Sequence, residues 1–148
     1  MADAKSPLVY GCYLVIVQDG TKTHSMVCSW GTQVSDRYIL LCIGPQSETG
    51  KLLTVGRRFS VNVLLREQKP LALLAGTKHS SAVDKLAGVP LTRDGDVVLL
   101  SRAKKTMACR VERLVDVSPL SDVTGVVAEI VSPAQEQEGD APLLDEVF

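Results

Sequence analysis

The chain has 148 residues, 45% of them hydrophobic and 22% charged, which fits one soluble globular domain and excludes bulk disorder. Only 4% are aromatic, so the core must be aliphatic. The net charge of −1 gives no general attraction to nucleic acid or to a membrane surface, and no apolar run approaches the roughly 20 residues of a membrane helix.

Gly11 to Val17 is a β-branched apolar run that ends at Asp19-Gly20, a turn dipeptide. His24 to Ser35 reads as one further extended segment, giving a hairpin. Tyr38 to Ile43 is continuously apolar, which predicts a strand buried on both faces. Ser47 to Val55 is predicted as a short helix with Ser47 as its N-cap and Gly56 just past its end. Phe59 to Leu65 is the next strand. Glu67 to Leu74 reads as a helix with Pro70 in its first turn and Gly76 as its stop. Ser81 to Leu86 is predicted as another short helix, closed by Gly88.

The second half returns to β. Asp94-Gly95 is a turn and Val97 to Leu100 a short strand. Met107 to Val117 alternates, with a local break at Arg113 and Leu114, and Val123 to Val131 is the last strand. Strands dominate and do not alternate regularly with helices. The expected fold is therefore mainly β: a closed, mostly antiparallel barrel with two or three short helices.

Residues 1–132 are expected to form that domain. Residues 133–148 hold five acids (Glu136, Glu138, Asp140, Asp145, Glu146) and no Lys or Arg, and are expected as an acidic C-terminal tail whose Leu143, Leu144 and Phe148 dock on a partner. The body is left with 16 basic and 12 acidic side chains, a mildly basic balance that suits a phosphorylated small ligand. Cys12, Cys28, Cys42 and Cys109 form no C-x-x-C pair and have no His cluster beside them, so no metal site is expected. They read as reduced, buried thiols of a cytoplasmic protein, and Met1 to Pro7 has no apolar signal region.

Ser29, Trp30, Gly31, Thr32 and Gln33 lie in and beside the second extended segment. A strand glycine marks close approach of a ligand or another backbone, so these residues suit a wall where main-chain amides meet a flat polar heterocycle. On composition alone a solvated edge strand is the plainer reading. Gly44 to Lys51 follows a buried strand and opens a helix; Ser47, Thr49 and Lys51 there suit a phosphate cradle, although Glu48 opposes an anion and simple capping explains the same residues. The G-x-x-x-x-G-K-[ST] spacing of a P-loop is absent. Asn62, among apolar neighbours in FSVNVLL, needs hydrogen-bond partners, either a ligand edge or nearby backbone. Lys78, His79 and Ser80 form a polar loop that offers charge to a phosphate or a nicotinamide cofactor, although a lone loop His is more often exposed and idle. His24 and His79 are the only imidazoles, and no G-x-S-x-G elbow or Cys-His signature is present, so nucleophilic catalysis has no support. Redox chemistry would need a bound cofactor.

These pieces occur in a known order. SMVCSWGTQVS, then YILLCIGPQSETGKLL, then FSVNVL followed by a Gln-containing helix and LAGTKHSSAVDKLAG, and finally MACRVERLVDV, resemble the flavin reductase-like family over about residues 9–131. The resemblance implies an FMN-binding split barrel, a homodimer with flavin near the subunit interface, and a flavoprotein oxidoreductase that takes electrons from NAD(P)H or a protein donor. FAD is the alternative flavin, and a non-enzymatic flavin- or haem-binding electron carrier is the alternative function. The resemblance sets Ser29 to Gln33 beside the isoalloxazine and Ser47, Thr49 and Lys51 on the phosphate. It brings Asn62 and the Lys78 to Ser80 loop near the flavin. One departure stands out. Reductases of the family often carry Gly-Asp-His before the last strand, where this chain reads Ser121-Asp122-Val123, so the imidazole tied to cofactor handling is missing.

Overall fold

The computed structural model describes residues 11–44, 47–77, 86–120, 122–132, 135–141 and 147. β1 (Tyr13–Asp19) and β2 (Lys22–Cys28) form an antiparallel hairpin in register from Tyr13 opposite Cys28 to Asp19 opposite Lys22. Gly20 turns it at φ 59, a conformation glycine adopts without a Cβ penalty. Then come β3 (Gly31–Gln33), β4 (Tyr38–Ile43), β5 (Arg58–Val63), helix α1 (Lys69–Thr77), β6 (Leu91–Asp94), β7 (Val97–Leu100), β8 (Lys105–Asp116), β9 (Thr124–Ile130) and β10 (Gln135–Glu136). The main sheet has the order β2-β1-β5-β8-β9-β4-β3, with β10 added to β8, and it curls into an open barrel of antiparallel pairs. β6 and β7 form a separate hairpin. The expected mainly β barrel is thus what the chain forms, with one α-helix among the described residues.

Strand alternation sorts the apolar residues into two cores. Val15, Leu41, Phe59, Val61, Cys109 and Val126 fill the barrel. Leu14, Ile16, Leu64, Ala72, Val98 and Leu100 form a second layer where α1 and the β6–β7 hairpin cover the outer wall. β1 is therefore buried on both faces, and burying each of its aliphatic side chains stabilises by about 1.5–3 kcal/mol.

Several local expectations change. The segment His24 to Ser35 divides into β2 and β3 at Ser29–Trp30, where the chain leaves β1 for β4; the Trp30 carbonyl accepts the Cys42 amide at 2.8 Å. β4 buries Ile39, Leu41 and Ile43 but leaves Tyr38, Leu40 and Cys42 half-buried, since α1 and the β6–β7 hairpin cover β1 and β5 instead. Ser47 to Val55 yields only a 3-10 turn at Gly50–Leu52, because the chain turns again at Val55–Gly56. The next helix begins with a 3-10 turn at Arg66–Gln68 and runs to Thr77, so Gly76 lies inside α1 rather than ending it. The Ser81 to Leu86 prediction lies outside the described residues except for Leu86. β6 was missed at the sequence level because its Thr92, Arg93 and Asp94 are exposed and carry no apolar alternation. The break at Arg113–Leu114 is a β-bulge: Val111 and Arg113 face successive residues of β9, leaving Glu112 extra. Within the acidic stretch, Gln135–Glu136 pairs with Thr106 and Lys105 of β8. Leu143, Leu144 and Phe148 lie outside the described residues.

Candidate functional site

Among the described residues β3 pairs only with β4, which leaves it at the edge of the sheet. Its free edge borders a cavity of about 680 Å³ at the mouth of the barrel. Tyr13, Ile39, Leu41, Val61, Met107 and Ile130 make an apolar floor. Thr32, Gln33, Asp36, Lys104, Lys105 and Glu136 make a polar rim. Burial pushes the Tyr13 phenol above its ordinary pKa, with the neighbouring Cys28 and Cys12 thiols adding to the rise and a Gly11 backbone hydrogen bond opposing it, so Tyr13 enters the site as a neutral phenol. An apolar pocket with a few convergent polar groups is the usual form of a small-molecule site.

Gly31 lets β3 lie close. A Cβ on it would fall 2.9 Å from Leu41 Cδ2 and 3.5 Å from Tyr13 Cε2. Gln33 donates its side-chain amide to the Ser35 carbonyl at 2.9 Å, and Thr32 is exposed. Ser29 is half-buried and hydrogen-bonds the Cys12 thiol, partly offsetting the burial that raises that thiol's pKa. Trp30 is 52% exposed, an unusual position for a chain's one Trp.

Ser47, Thr49 and Lys51 lie outside the cavity lining. Ser47 Oγ touches the Met26 sulfur at 3.1 Å and accepts the Gly50 amide at 2.9 Å. The amides of Ser47, Lys51 and Leu52 also donate within the turn, and Thr49 is buried. Lys51 is exposed, with its ammonium 3.6 Å from a Glu48 carboxylate oxygen.

Asn62 faces the second core and is fully buried. It donates to the Leu14 carbonyl at 3.0 Å and to Ser60 Oγ at 2.9 Å, and its Oδ1 accepts the Leu100 amide at 3.0 Å. Ser60 in turn donates to the Val98 carbonyl at 2.6 Å. Asn62 therefore holds the wall behind the cavity floor. Lys78, His79 and Ser80 lie outside the described residues.

The structure thus brings Gly31, Thr32 and Gln33 into one cavity and leaves Ser29, Trp30, Ser47, Thr49 and Lys51 outside its lining. Sequence reasoning missed Tyr13, Lys104 and Lys105. The signal for the lysines was the basic pair at the start of β8, Lys104 just before it and Lys105 its first residue. Among the described residues no group of three or more His, Cys, Asp or Glu side chains is placed to hold a metal ion, and no helix is long and apolar enough to cross a membrane.

An open antiparallel barrel with a cavity beside an edge strand has the form of a split barrel. Residues 6–146 match the model of the flavin reductase like domain, and the chain belongs to that family. Solved structures agree on the fold. The NADH:FAD oxidoreductase SgcE6 of Streptomyces globisporus C-1027 superposes with a TM-score of 0.79 at 23% identity, covering 92% of this chain and 81% of that one. An FMN-binding protein from Thermus thermophilus with bound 1-cyclohex-2-enone gives 0.78 at 23% identity, covering 92% and 79%. The styrene monooxygenase flavin reductase of Pseudomonas putida S12 gives 0.77 at 20% identity, covering 92% and 86%. No curated protein matches by sequence.

Proposed function

We propose that the chain binds FMN, with FAD as the alternative, and acts as a flavin-dependent oxidoreductase. The observation that carries this reading is the free edge of β3 at the lip of an apolar cavity. A flavin ring has an apolar benzenoid end and a pyrimidine edge rich in donors and acceptors. The main chain at Gly31 to Gln33 matches the polar edge, and the cavity floor suits apolar surface. Ser29 and Trp30 flank the ring. The flavin's chain would run past Trp30 towards Ser47, Thr49 and Lys51. Because most described amides of that turn already donate internally, the Lys51 ammonium is the strongest anchor for the phosphate. Asn62 keeps the supporting wall in register, and Lys78, His79 and Ser80 are proposed to approach the flavin.

Bound flavin supplies hydride and electron transfer. The side chains position it and shield it from water. NAD(P)H or a redox protein would donate the electrons, and a related structure holds NAD and FAD fragments together in the Streptomyces oxidoreductase. Exposed Trp30, Leu114, Val115, Val117 and Leu120 support a homodimer that covers them, and the reduced thiols suit a cytoplasmic location. Val123, standing where related reductases carry His, favours a second reading as a flavin or haem carrier.

FMN titration followed by flavin absorbance and fluorescence tests binding. Saturable spectral change is expected; no change with either FMN or FAD would overturn the flavin assignment. Rapid mixing of the flavin complex with NADH and NADPH then separates a reductase, which bleaches, from a carrier, which stays yellow. Light scattering on the eluted protein checks the dimer, and a monomer mass at all concentrations sinks it.

A further inference from the structure

We propose that the barrel-mouth cavity is itself a site for a flat apolar molecule bearing an anionic group, carboxylate, sulfonate or phosphate, and that Glu136 is its built-in competitor. The cavity floor is apolar, and the cations on its rim are Lys104 and Lys105. The Lys104 side chain is only 24% exposed and lines the cavity. Its Nζ lies 3.3 Å from a Glu136 carboxylate oxygen and donates to the Gln137 carbonyl at 3.1 Å. The acidic stretch thus returns along the rim as a strap and places a carboxylate where an anionic ligand would go.

Among the described residues of the strap, Gln135 and Glu136 pair with β8. Beyond them, the Gln137 amide donates to the Lys104 carbonyl at 3.0 Å, the Gln137 side chain donates to the Ser101 carbonyl at 3.1 Å, and the Arg66 amide donates to the Asp140 carbonyl at 2.7 Å. Glu136 is 56% exposed, so exchanging it for an incoming anion costs little, because its carboxylate is readily rehydrated. Asp36, the other acid of the rim, lies on the β3–β4 side and disfavours anions there, which directs them to Lys104. Apolar contact with the floor supplies affinity, and the ammonium selects charge. The inference uses the β8 side of the same cavity floor that the flavin reading invokes, and in that respect rests on it.

The test is fluorescence titration of the full chain with two probes of similar shape, 1-anilinonaphthalene-8-sulfonate and the neutral N-phenyl-1-naphthylamine. Glu136→Gln is expected to tighten the sulfonate probe about three- to fivefold, the scale of one exposed ion pair, and to leave the neutral probe unchanged. Lys104→Gln is expected to weaken the sulfonate probe, and the double variant to show no gain from Glu136→Gln. Thermal unfolding confirms that each variant folds. The proposal is overturned if Glu136→Gln leaves the sulfonate affinity unchanged, if both probes tighten alike, or if the gain persists without Lys104. Should Lys104→Gln not fold, the two-probe comparison on Glu136→Gln decides alone. A chain that ignores flavin yet shows the charge-selective effect separates this inference from the flavin reading.

Discussion

The main-chain amide of Leu100 donates to Oδ1 of Asn62 at 3.0 Å, and that bond ties the β6–β7 hairpin to the barrel wall. Both groups are buried, so neither has water to replace the other. Asn62→Leu is expected to destabilise by about 2–4 kcal/mol, because the Leu100 amide and Leu14 carbonyl lose a partner in a dry layer. Urea unfolding measures it. A loss below about 1 kcal/mol would mean the network rearranges freely.

Much of this architecture was legible in the residues. Tyr38 to Ile43 announced β4 residue for residue, and Asp19-Gly20 and Asp94-Gly95 marked two hairpin turns. The break at Arg113 and Leu114 was visible before its cause, the extra Glu112. Other features depend on tertiary contacts that a one-dimensional pattern does not carry. Nothing local says that Trp30 offers its carbonyl to Cys42, which divides β2 from β3. Asn62 read as a polar residue in need of partners, yet only the fold reveals that Leu14, Ser60 and Leu100 supply them. The cavity was hidden for the same reason, since β1, β4, β5, β8 and β9 each contribute one or two residues.

Gly31 separates ligand contact from stability. Adding a side chain there forces Leu41 Cδ2 away from 2.9 Å and places bulk at the lip of the cavity. Because the clashing atom ends a flexible side chain, the fold absorbs part of the strain. Gly31→Val is expected to weaken FMN binding at least about tenfold while stability falls by only about 1–2 kcal/mol. Parallel flavin titration and thermal unfolding check both. Undiminished FMN affinity would place the ring elsewhere.

Glu129 is 9% exposed and is held by two cations, Arg37 and Arg110, the latter at 2.6 Å. Arg110 also bonds Glu112 at 2.9 Å; that bond first, and Glu129 second, hold its guanidinium pKa above the ordinary value. With two partners available, Arg37→Ala or Arg110→Ala alone leaves the Glu129 carboxylate with a cation. Removing both leaves a nearly buried charge uncompensated. The double variant is expected to lose at least about 4 °C more in melting temperature than the two single losses together. Strict additivity would show that water replaces the cations.

The buried thiols set the alkaline limit. Burial, with a smaller push from the neighbouring Cys42, raises the Cys28 thiol from 9.0 to about 12, although backbone hydrogen bonding at Trp30 and Cys42 opposes the rise. Burial alone raises Cys109 to about 12. Below pH 9.0 both thiols are protonated folded and unfolded, and they give stability no pH dependence. Between 9.0 and about 12 the unfolded chain ionises them while the folded chain resists, so unfolding gains. Each thiol then lowers stability by up to about 1.4 kcal/mol per pH unit. Urea unfolding at a series of pH values should show this decline, and a Cys28→Ala/Cys109→Ala variant should lack most of it even though the lost side chains lower its baseline. In the native state the half-buried Cys42 should react first with a thiol reagent, and Cys28 and Cys109 only on unfolding. An alkaline slope unchanged in the variant, or rapid native labelling of Cys28, would show that water reaches the barrel interior.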